Sequence, residues 1–561
     1  MSYNVSQVRN WIAHDPSEDD RRELGALLDR AEGGDAAAIA ELDDRFSGPL
    51  QFGTAGLRGA MAPGPFRMNR AVVRRAAAGL VAYLKEKVGD DALLVIGNDA
   101  RYHSREFAED TAAIATAAGI RALIMPRELP TPLLAFAVRH LNADAGVMVT
   151  ASHNPAQDNG YKVYLGGRCA DEDGKGVQLV PPADAEIAAL IAQAPPADEI
   201  PLADGYETIN ESVIEDYINQ TVELIPAAYS RDIKIVYTAM HGVGTPIMRR
   251  ILDGAGFTNI VEVPEQCTPD PDFPTVPFPN PEELGALDLA KELAAKVNAD
   301  IVIASDPDAD RCSAAVPDGD TWRQLSGDEI GSLLGEYVAE GAALLGSSAT
   351  LASSIVSSRL LEQIASAHGV NYEATLTGFK WIARASNLVF GYEEAIGFCV
   401  NPQAVRDKDG LSAGLMLAFL TARLRDSGSD LLGELDRLYV RHGVYLSGPV
   451  TVRVDDLSVI PATMAKVRQA PPAELAGAKV SRVWDLSEGS EELPATDGIA
   501  WFTEQDDRVI IRPSGTEPKV KCYLEVYSPV VAPDALEGAK EIAHNRLERF
   551  KADVAAALRL S

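Results

Sequence analysis

Four times in the first part of the chain, a short run of apolar and largely β-branched positions stops abruptly at a polar or glycine-rich loop. Ala92 to Gly97 stops at Asn98-Asp99-Ala100-Arg101, and Ala145 to Val149 stops at Thr150-Ala151-Ser152-His153-Asn154-Pro155. Ile233 to Tyr237 leads to His241-Gly242-Val243-Gly244, and Asp300 to Ala304 leads to Asp306-Pro307-Asp308-Ala309-Asp310-Arg311. Continuous apolar runs of this length read as buried strands. Between them, Ala71 to Val88, Phe107 to Gly119 and Pro281 to Val297 are alanine-rich and amphipathic, which predicts helices. Alternating strand and helix predicts α/β layers with loops gathered at the carboxyl ends of the strands, where open α/β sheets place ligands.

The periodicity is interrupted at Pro195-Pro196-Ala197-Asp198-Glu199-Ile200-Pro201, which reads as a linker. After Tyr445 the texture changes. Pro449 to Val454, Arg508 to Arg512 and Lys521 to Val526 are strand-like, and a long helix is expected from Asp534 to Leu558. A chain of 561 residues is too long for one core and implies roughly three to five domains. The expected division is 1–205 with an N-terminal extension, 206–320, 321–440 and 441–561, the first three being similar α/β units and the last α+β. No short-period repeat is evident.

Composition narrows the class. No apolar run reaches the ~18 residues of a membrane span, and the first twenty residues lack the basic start and apolar stretch of a secretory signal, so a cytoplasmic protein is expected. Cys169, Cys267, Cys312, Cys399 and Cys522 are scattered and form no C-x-x-C pair, so they read as reduced, mostly buried thiols. A formal net charge of −31 repels nucleic acid and anionic membranes, and neither is expected as a partner. The same field repels a phosphorylated substrate, so cations that meet phosphate must be concentrated locally.

Asp306, Asp308 and Asp310 alternate along an extended segment directly after a buried strand, so three carboxylates can converge on a hard cation such as Mg²⁺. An EF-hand is excluded by Arg311 at the sixth position and Pro317 at the twelfth. Ser152 sits where a strand ends, with Pro155 fixing the exit and Asp158-Asn159-Gly160-Tyr161-Lys162 bringing a lysine toward the same loop. Arg512-Pro513-Ser514-Gly515-Thr516-Glu517-Pro518-Lys519 combines a guanidinium, hydroxyls and small-residue amides, the chemistry of a phosphate cradle without P-loop spacing. Thr377-Gly378-Phe379-Lys380 and Gly391-Tyr392-Glu393-Glu394-Ala395-Ile396-Gly397 flank a helical stretch. Paired glutamates suit sugar hydroxyls. Arg406-Asp407-Lys408-Asp409-Gly410 follows, and Phe52-Gly53-Thr54-Ala55-Gly56-Leu57-Arg58-Gly59 ends a glycine-rich turn in an arginine able to meet phosphate.

Assembled in this order, the sequence resembles the α-D-phosphohexomutase superfamily of phosphoglucomutases and phosphomannomutases over nearly the whole chain. The motifs are T-A-S-H-N-P at Ser152, D-x-D-x-D-R at Asp306 to Arg311, E-E-x-x-G at Glu393 and R-P-S-G-T-E-P at Arg512. The resemblance implies four domains around a central cleft and an intramolecular phosphotransferase. It also implies Ser152 as a phosphoserine and one Mg²⁺ on Asp306, Asp308, Asp310 and a phosphoserine oxygen. Arg512, Ser514, Gly515, Thr516 and Lys519 would hold the non-transferring phosphate, and Gly378, Lys380, Glu393 and Glu394 the sugar. His153, Lys162 and Lys408 match positions of proton transfer or charge stabilisation, which of them is the base being left open. Arg58 and Arg311 join them as catalytic cations. A sugar bisphosphate would serve as intermediate and activator, in a monomer or homodimer.

Two departures bear on the sugar. The E-E-S-G type of loop has Ala395 and Ile396 here, and Phe398 stands where many bacterial members have a histidine. With the extra N-terminal segment, this resembles the subgroup holding bacterial phosphoglucomutases or phosphomannomutases and animal phosphopentomutase-like relatives. Glucose 1- and 6-phosphates are the expected substrates, mannose phosphates a second possibility, and a phosphopentomutase the alternative. A serine phosphatase and a non-catalytic sugar-phosphate binding protein are the competing classes.

Overall fold

The computed structural model describes residues 3–51, 56–345, 348–453, 459–490, 493–513 and 519–558. By compactness the chain forms two units, one of residues 1–324 with 401–419 and the other of residues 325–400 with 420–561.

The first unit begins with helices Val5–His14, Glu18–Glu32 and Ala36–Arg45, capped by Asn4, Ser17 and Asp35. They share a small core of Val8, Leu24, Leu28, Ala31, Ala38 and Leu42. A seven-stranded sheet follows, built from β1 (Leu57–Ala60), β2 (Leu93–Asn98), β3 (Arg121–Ile124), β4 (Ala145–Val149), β5 (Asp158–Leu165), β6 (Val177–Gln178) and β7 (Glu207–Thr208). Its order is β1-β5-β4-β2-β3-β7, with β6 on β5. Strands β4, β2, β3 and β7 are parallel, whereas β5 is antiparallel to β4 and β1. Helix Arg70–Lys87 starts at the Asn69 cap and buries Val73, Ala76, Ala77, Leu80 and Leu84 against this sheet, an i, i+3, i+4 stripe.

A second sheet in the same unit contains β8 (Ile235–Thr238), β9 (Ile260–Glu262), β10 (Ile301–Ser305), β11 (Cys312–Asp318) and β12 (Thr321–Gln324), in the order β12-β11-β10-β8-β9. Again a parallel set, β9, β8 and β10, carries an antiparallel edge. The helix expected from Pro281 begins only at Asp288. Gly285 takes φ +85°, outside the helical region, and residues 280–286 turn instead through Glu283 N–H to Asn280 O and Ala286 N–H to Glu283 O.

The second unit holds β13 (Thr350–Ser354), β14 (Asn371–Thr375), β15 (Leu388–Glu393) and β16 (Gly397–Cys399) in the order β14-β13-β15-β16, parallel except for β16. The last sheet is wholly antiparallel: β17 (Val444–Arg453), β18 (Glu474–Leu475), β19 (Ala478–Asp485), β20 (Ile499–Thr503), β21 (Arg508–Pro513) and β22 (Lys519–Ser528), ordered β17-β22-β21-β20-β19-β18. Helix Leu536–Leu558 packs on β17 and β22. The fold is thus three similar α/β units with mixed sheets followed by one α+β unit. None of the five cysteines forms a disulfide, and Cys312, Cys399 and Cys522 are buried. Among the described residues no helix is long and apolar enough to cross a membrane.

Within the second unit the α/β part and the antiparallel sheet are joined by buried charge. Glu525 accepts from Ser358 Oγ at 2.7 Å, Arg359 N at 2.8 Å and Arg359 Nε at 2.7 Å, and faces Arg508 at 3.4 Å. Arg508 in turn donates to Ile355 O at 2.9 Å and Ser357 O at 2.7 Å. Burial pushes the Glu525 carboxyl up, but Arg508 and Arg359 outweigh it and hold the group below its ordinary value. Its stabilisation is therefore present above the unfolded carboxylate pKa of about 4.3 and is lost as pH falls below it. Glu525→Gln is expected to cost about 3 kcal/mol near neutrality, because it takes the charge partner from the buried Arg508 guanidinium, whereas the half-buried Arg359 keeps Asp506 at 2.8 Å. Native-state hydrogen exchange of the β21 and β22 amides checks this: exchange should quicken at pH 7, with the gap to the unsubstituted protein narrowing as pH drops below 5.

Candidate active site

Strand β4 is buried throughout, and its last residue delivers the chain into the Ser152 turn. Ser152 has φ +52°, a left-handed conformation that a serine adopts only when its surroundings over-determine it. Ser152 N–H donates to Thr150 Oγ1 at 2.9 Å, and Asn154 N–H to Ala151 O at 3.0 Å. The turn aims Ser152 Oγ at Asp306 Oδ2, 2.7 Å away, and places it 3.1 Å from His153 Nδ1. Arg58, on β1, donates to Asn154 Oδ1 at 3.0 Å in the same turn.

Asp306, Asp308 and Asp310 follow β10, are fully buried, and present carboxylate oxygens that all lie within 4.8 Å of one another. The turn that gathers them passes through Ala309 at φ +55°. Two backbones press on it so closely that only glycine fits. A Cβ on Gly242 would lie 2.2 Å from Pro307 Cα, and one on Gly410 would lie 2.2 Å from Arg311 O. Asp308 Oδ2 accepts from Thr131 Oγ1 at 2.6 Å and Lys162 Nζ at 2.7 Å, Asp310 Oδ2 accepts from Lys162 Nζ at 2.8 Å, and Asp306 Oδ1 accepts from Arg311 N at 3.0 Å. Asp308 Oδ1 and Asp310 Oδ1 are buried without any hydrogen-bond partner. Buried carboxylate lone pairs left open, in an all-oxygen set, fit a hard divalent cation such as Mg²⁺.

Electrostatics separates the candidate bases. Burial and the two neighbouring carboxylates push Asp306 well above its ordinary pKa. Burial acts the same way on Asp310, yet Lys162, Lys408 and Arg311 overcome it and hold Asp310 far below. Burial pulls the Lys162 ammonium down, but Asp308 and Asp310 outweigh that and keep its proton. His153 is driven well below its ordinary value by burial, Arg311 and Arg58, and is neutral at pH 7. Its ring stands edge-on to Phe278, centroids 5.8 Å apart. Lys408 Nζ lies 3.3 Å from Asp310 and 3.7 Å from Asp407. Arg58, Lys162, Arg311 and Lys408 therefore gather around one carboxylate cluster, the local concentration of cations that the overall negative charge demands.

The second unit carries the remaining candidates. Glu394 accepts from Ser354 Oγ and Ser357 Oγ, each at 3.0 Å, and burial, Glu393 and Asp328 push its carboxyl from 4.5 up to about 7. Arg512, on β21, donates to Thr377 Oγ1, while its buried Nε has no partner. Burial lowers its pKa, and Tyr523 and Glu394 lie within electrostatic reach. Gly378, at φ +104°, precedes the short helix Phe379–Ile382, and Lys380 on that helix lies over the Trp381 ring. Lys519 opens β22. Ser514, Gly515 and Thr516 lie outside the described residues, as do Phe52 to Ala55.

The structure thus joins Ser152, His153, Lys162, Lys408, Arg58, Arg311 and the three aspartates in one unit, and Glu394 and Arg512 in the other. Sequence reasoning passed over Thr131 and Arg101. Thr131 sits at a Pro130-Thr131-Pro132 helix start and Arg101 in a Asp99-x-Arg101 loop after a buried strand, so each had a positional signal.

Comparison with known proteins gives the family. The family models described as phosphoglucomutase/phosphomannomutase alpha/beta/alpha domains I, II and III match residues 49–196, 215–319 and 326–439, and the C-terminal domain of that family matches 450–535. The chain is 46% identical to a probable phosphomannomutase of Haemophilus influenzae, over 82% of this chain and 93% of that one. It is 35% identical to the phosphoribomutase of Saccharomyces cerevisiae, over 92% and 91%. The open form of parafusin, a phosphoglucomutase from Paramecium, shares the fold at a TM-score of 0.67 and 19% identity, over 90% of this chain and 95% of the other.

The carboxylate cluster generates a prediction with two opposite signs. Asp306→Asn removes one of three crowded charges, so without divalent metal the Tm should hold or rise. Mg²⁺ that binds only the folded protein stabilises it by about 2.7 kcal/mol at a hundredfold excess over Kd. Calorimetry should show that gain in the unsubstituted protein and its loss in Asp306→Asn; an undiminished Mg²⁺ effect in the variant would place the cation elsewhere.

Proposed function

The chain belongs to the phosphoglucomutase/phosphomannomutase family and is a phosphosugar mutase, and we propose that Ser152 is the residue that carries the phosphoryl group between two positions of the sugar. The observation that supports this most directly is Ser152 Oγ held 2.7 Å from Asp306 Oδ2, a hydroxyl fixed at the edge of a buried carboxylate cluster with open oxygens. In the forward half-reaction the Oγ–P bond of phosphoserine breaks as an O–P bond forms to a free sugar hydroxyl, whose proton passes to a base. The bisphosphorylated sugar then turns over, and its other phosphoryl returns to Ser152 Oγ. A Mg²⁺ on Asp306, Asp308 and Asp310 would supply positive charge against the oxygens of the transferring group.

Each remaining role follows from the charges. His153 is the candidate base that is already neutral at pH 7, with Nδ1 3.1 Å from Oγ. Lys162 gives up its proton only once the negative charge of Asp308 and Asp310 is cancelled, so until then it stabilises charge. Arg58 and Arg311 present guanidinium groups to the transferring phosphoryl, and Lys408 balances Asp310. Glu393, Glu394, Gly378 and Lys380 receive the sugar, and Arg512, Lys519 and the intervening Ser514, Gly515 and Thr516 the resting phosphate. In this reading residues 1–205 carry the nucleophile, 206–320 the carboxylates, 321–440 the sugar contacts and 441–561 the phosphate contacts.

Glucose 1- and 6-phosphates are the proposed substrates, with mannose phosphates second. The phosphoribomutase likeness favours testing pentose phosphates as well. Parallel kcat/KM measurements on glucose, mannose and ribose 1-phosphates, with a trace of bisphosphate, decide among them. Ser152→Ala should abolish turnover on whichever is used while leaving binding intact; release of inorganic phosphate as the main product would sink the mutase assignment in favour of a phosphatase.

Glu394 adds a pH dependence. Its folded pKa is raised, so its contribution to stability is present below about 4.5 and lost as pH rises through about 7. Substrate binding runs the other way, because only the carboxylate accepts two hydroxyl hydrogen bonds. KM should fall between pH 6 and 8, and Glu394→Gln should flatten that slope, leaving only the substrate's own phosphate ionisation near pH 6.

A further inference from the structure

We propose that Arg101 is a positioning residue for phosphoryl transfer, holding the Ser152 turn in its left-handed conformation by tying together the carbonyl group of the nucleophile's own residue and those of the loop that follows it. This rests on the reading of Ser152 as the phosphoryl carrier.

Arg101 follows β2, which lies beside β4 in the sheet, so its side chain starts directly next to the turn that Val149 enters. Nη2 donates to Ser152 O at 2.7 Å and Asn154 O at 2.5 Å, and Nη1 to Pro155 O at 2.8 Å and Asp158 O at 3.0 Å. The four Nη protons of a guanidinium are thereby spent on four carbonyls of a single turn. The side chain is 1% exposed and its Nε faces Asp99 Oδ2 at 3.4 Å. Asp99 is itself fixed by Arg101 N at 3.0 Å and Ser104 Oγ at 2.6 Å. On the other side the guanidinium lies under the Phe273 ring, 4.9 Å from its centroid. Phe273 is buried with Val276 and Ala286, from the segment after β9, and with Met240, from the loop after β8, so residues of the second family domain lie over the group that shapes the first domain's turn.

The physical logic concerns direction more than stability. Peptide carbonyls in a left-handed turn crowd toward one side, and with no donor among them their mutual repulsion favours relaxation of the turn. A planar fork of four N–H groups cancels that repulsion at fixed geometry, which a lysine with three rotatable donors on one nitrogen does not. If the turn relaxed, Ser152 Oγ would swing from Asp306 Oδ2 without any group that binds the sugar being disturbed. Displacement of a reacting atom by ~1 Å costs about 100-fold in rate.

The test uses the full chain with Arg101→Lys, Arg101→Ala and Phe273→Leu, assayed on glucose, mannose and ribose 1-phosphates. Arg101→Lys and Arg101→Ala should lose about 100-fold in kcat with KM within about twofold, the pattern of an interaction that matters only in the transition state. Added ethylguanidinium should restore part of the kcat of Arg101→Ala and leave Arg101→Lys, whose cavity is filled, unchanged. Where Arg101→Ala does not fold, Arg101→Lys and Phe273→Leu carry the test, the latter with a smaller loss of kcat at constant KM. Unchanged kcat in Arg101→Lys, a change confined to KM, or no rescue of a folded Arg101→Ala overturns the proposal. Failure of the unsubstituted protein to isomerise any of the three sugars would instead overturn the phosphoryl-carrier reading, and this inference with it.

Discussion

Lys162 Nζ lies 2.7 Å from Asp308 and 2.8 Å from Asp310, with every partner buried. Three carboxylates cannot enter a protein interior together unless cations follow them, because the desolvation of each is several kcal/mol and their repulsion adds to it. Much of the first unit can be understood as the supply of those cations. Antiparallel β5 places Lys162 opposite Met148 of β4, at the same end of the sheet as Ser152. Residues 401–419 pack with this unit and bring Lys408 to Asp310. The two glycines at 242 and 410 exist so that neighbouring backbones can close on the aspartate turn without a side chain between them. The cluster remains under-compensated even so, which is why Asp306 is pushed toward its protonated form and two carboxylate oxygens find no donor.

The same constraint explains how a protein of net charge −31 can handle a phosphate. Surface acids act over about a Debye length and are screened by salt, whereas the buried cations near Ser152 act at hydrogen-bond range in a poorly screened interior. His153 is lowered first by its burial and then by the same cations, Arg311, Arg58 and Lys162, against the opposing charge of Asp310. Net charge and site potential are therefore independent properties here, one serving solubility and the other chemistry.

The sequence made these parts visible to unequal degrees. The strands ending at Val149 and Ser305 were readable because a fully buried strand is a continuous apolar run, and its end is marked by the first polar residue. Ser152 and the aspartates follow those ends immediately, so their clustering is a consequence of topology that alternating strand and helix already implies. The helix start after Pro281 was misplaced because amphipathic spacing continues through residues 282–287, where the backbone turns out of the helical region at Gly285, φ +85°. Thr131 and Arg101 escaped for another reason. Thr131 bonds Asp308 across 177 residues and Arg101 bonds peptide carbonyls, so the position of each in the sequence marks a loop or helix start without saying what it holds. Side chains that serve backbone are invisible to motif reading however essential the loop they hold.

The second unit adds an argument about what ligand the chemistry wants. Glu394 is a half-buried carboxyl that accepts from Ser354, the last residue of β13, and from Ser357 three residues on. Such a group is satisfied by hydroxyls, which donate, and is antagonised by phosphate, which only accepts. Arg512 has the reverse preference, with an unpartnered buried Nε and a charge that burial alone disfavours. A ligand must therefore bring hydroxyl donors to one and an anion to the other, and a phosphorylated sugar satisfies both within one molecule. A bare nucleobase, which carries no anion, would leave the guanidinium without a charge partner, at a cost of ~1–3 kcal/mol or more.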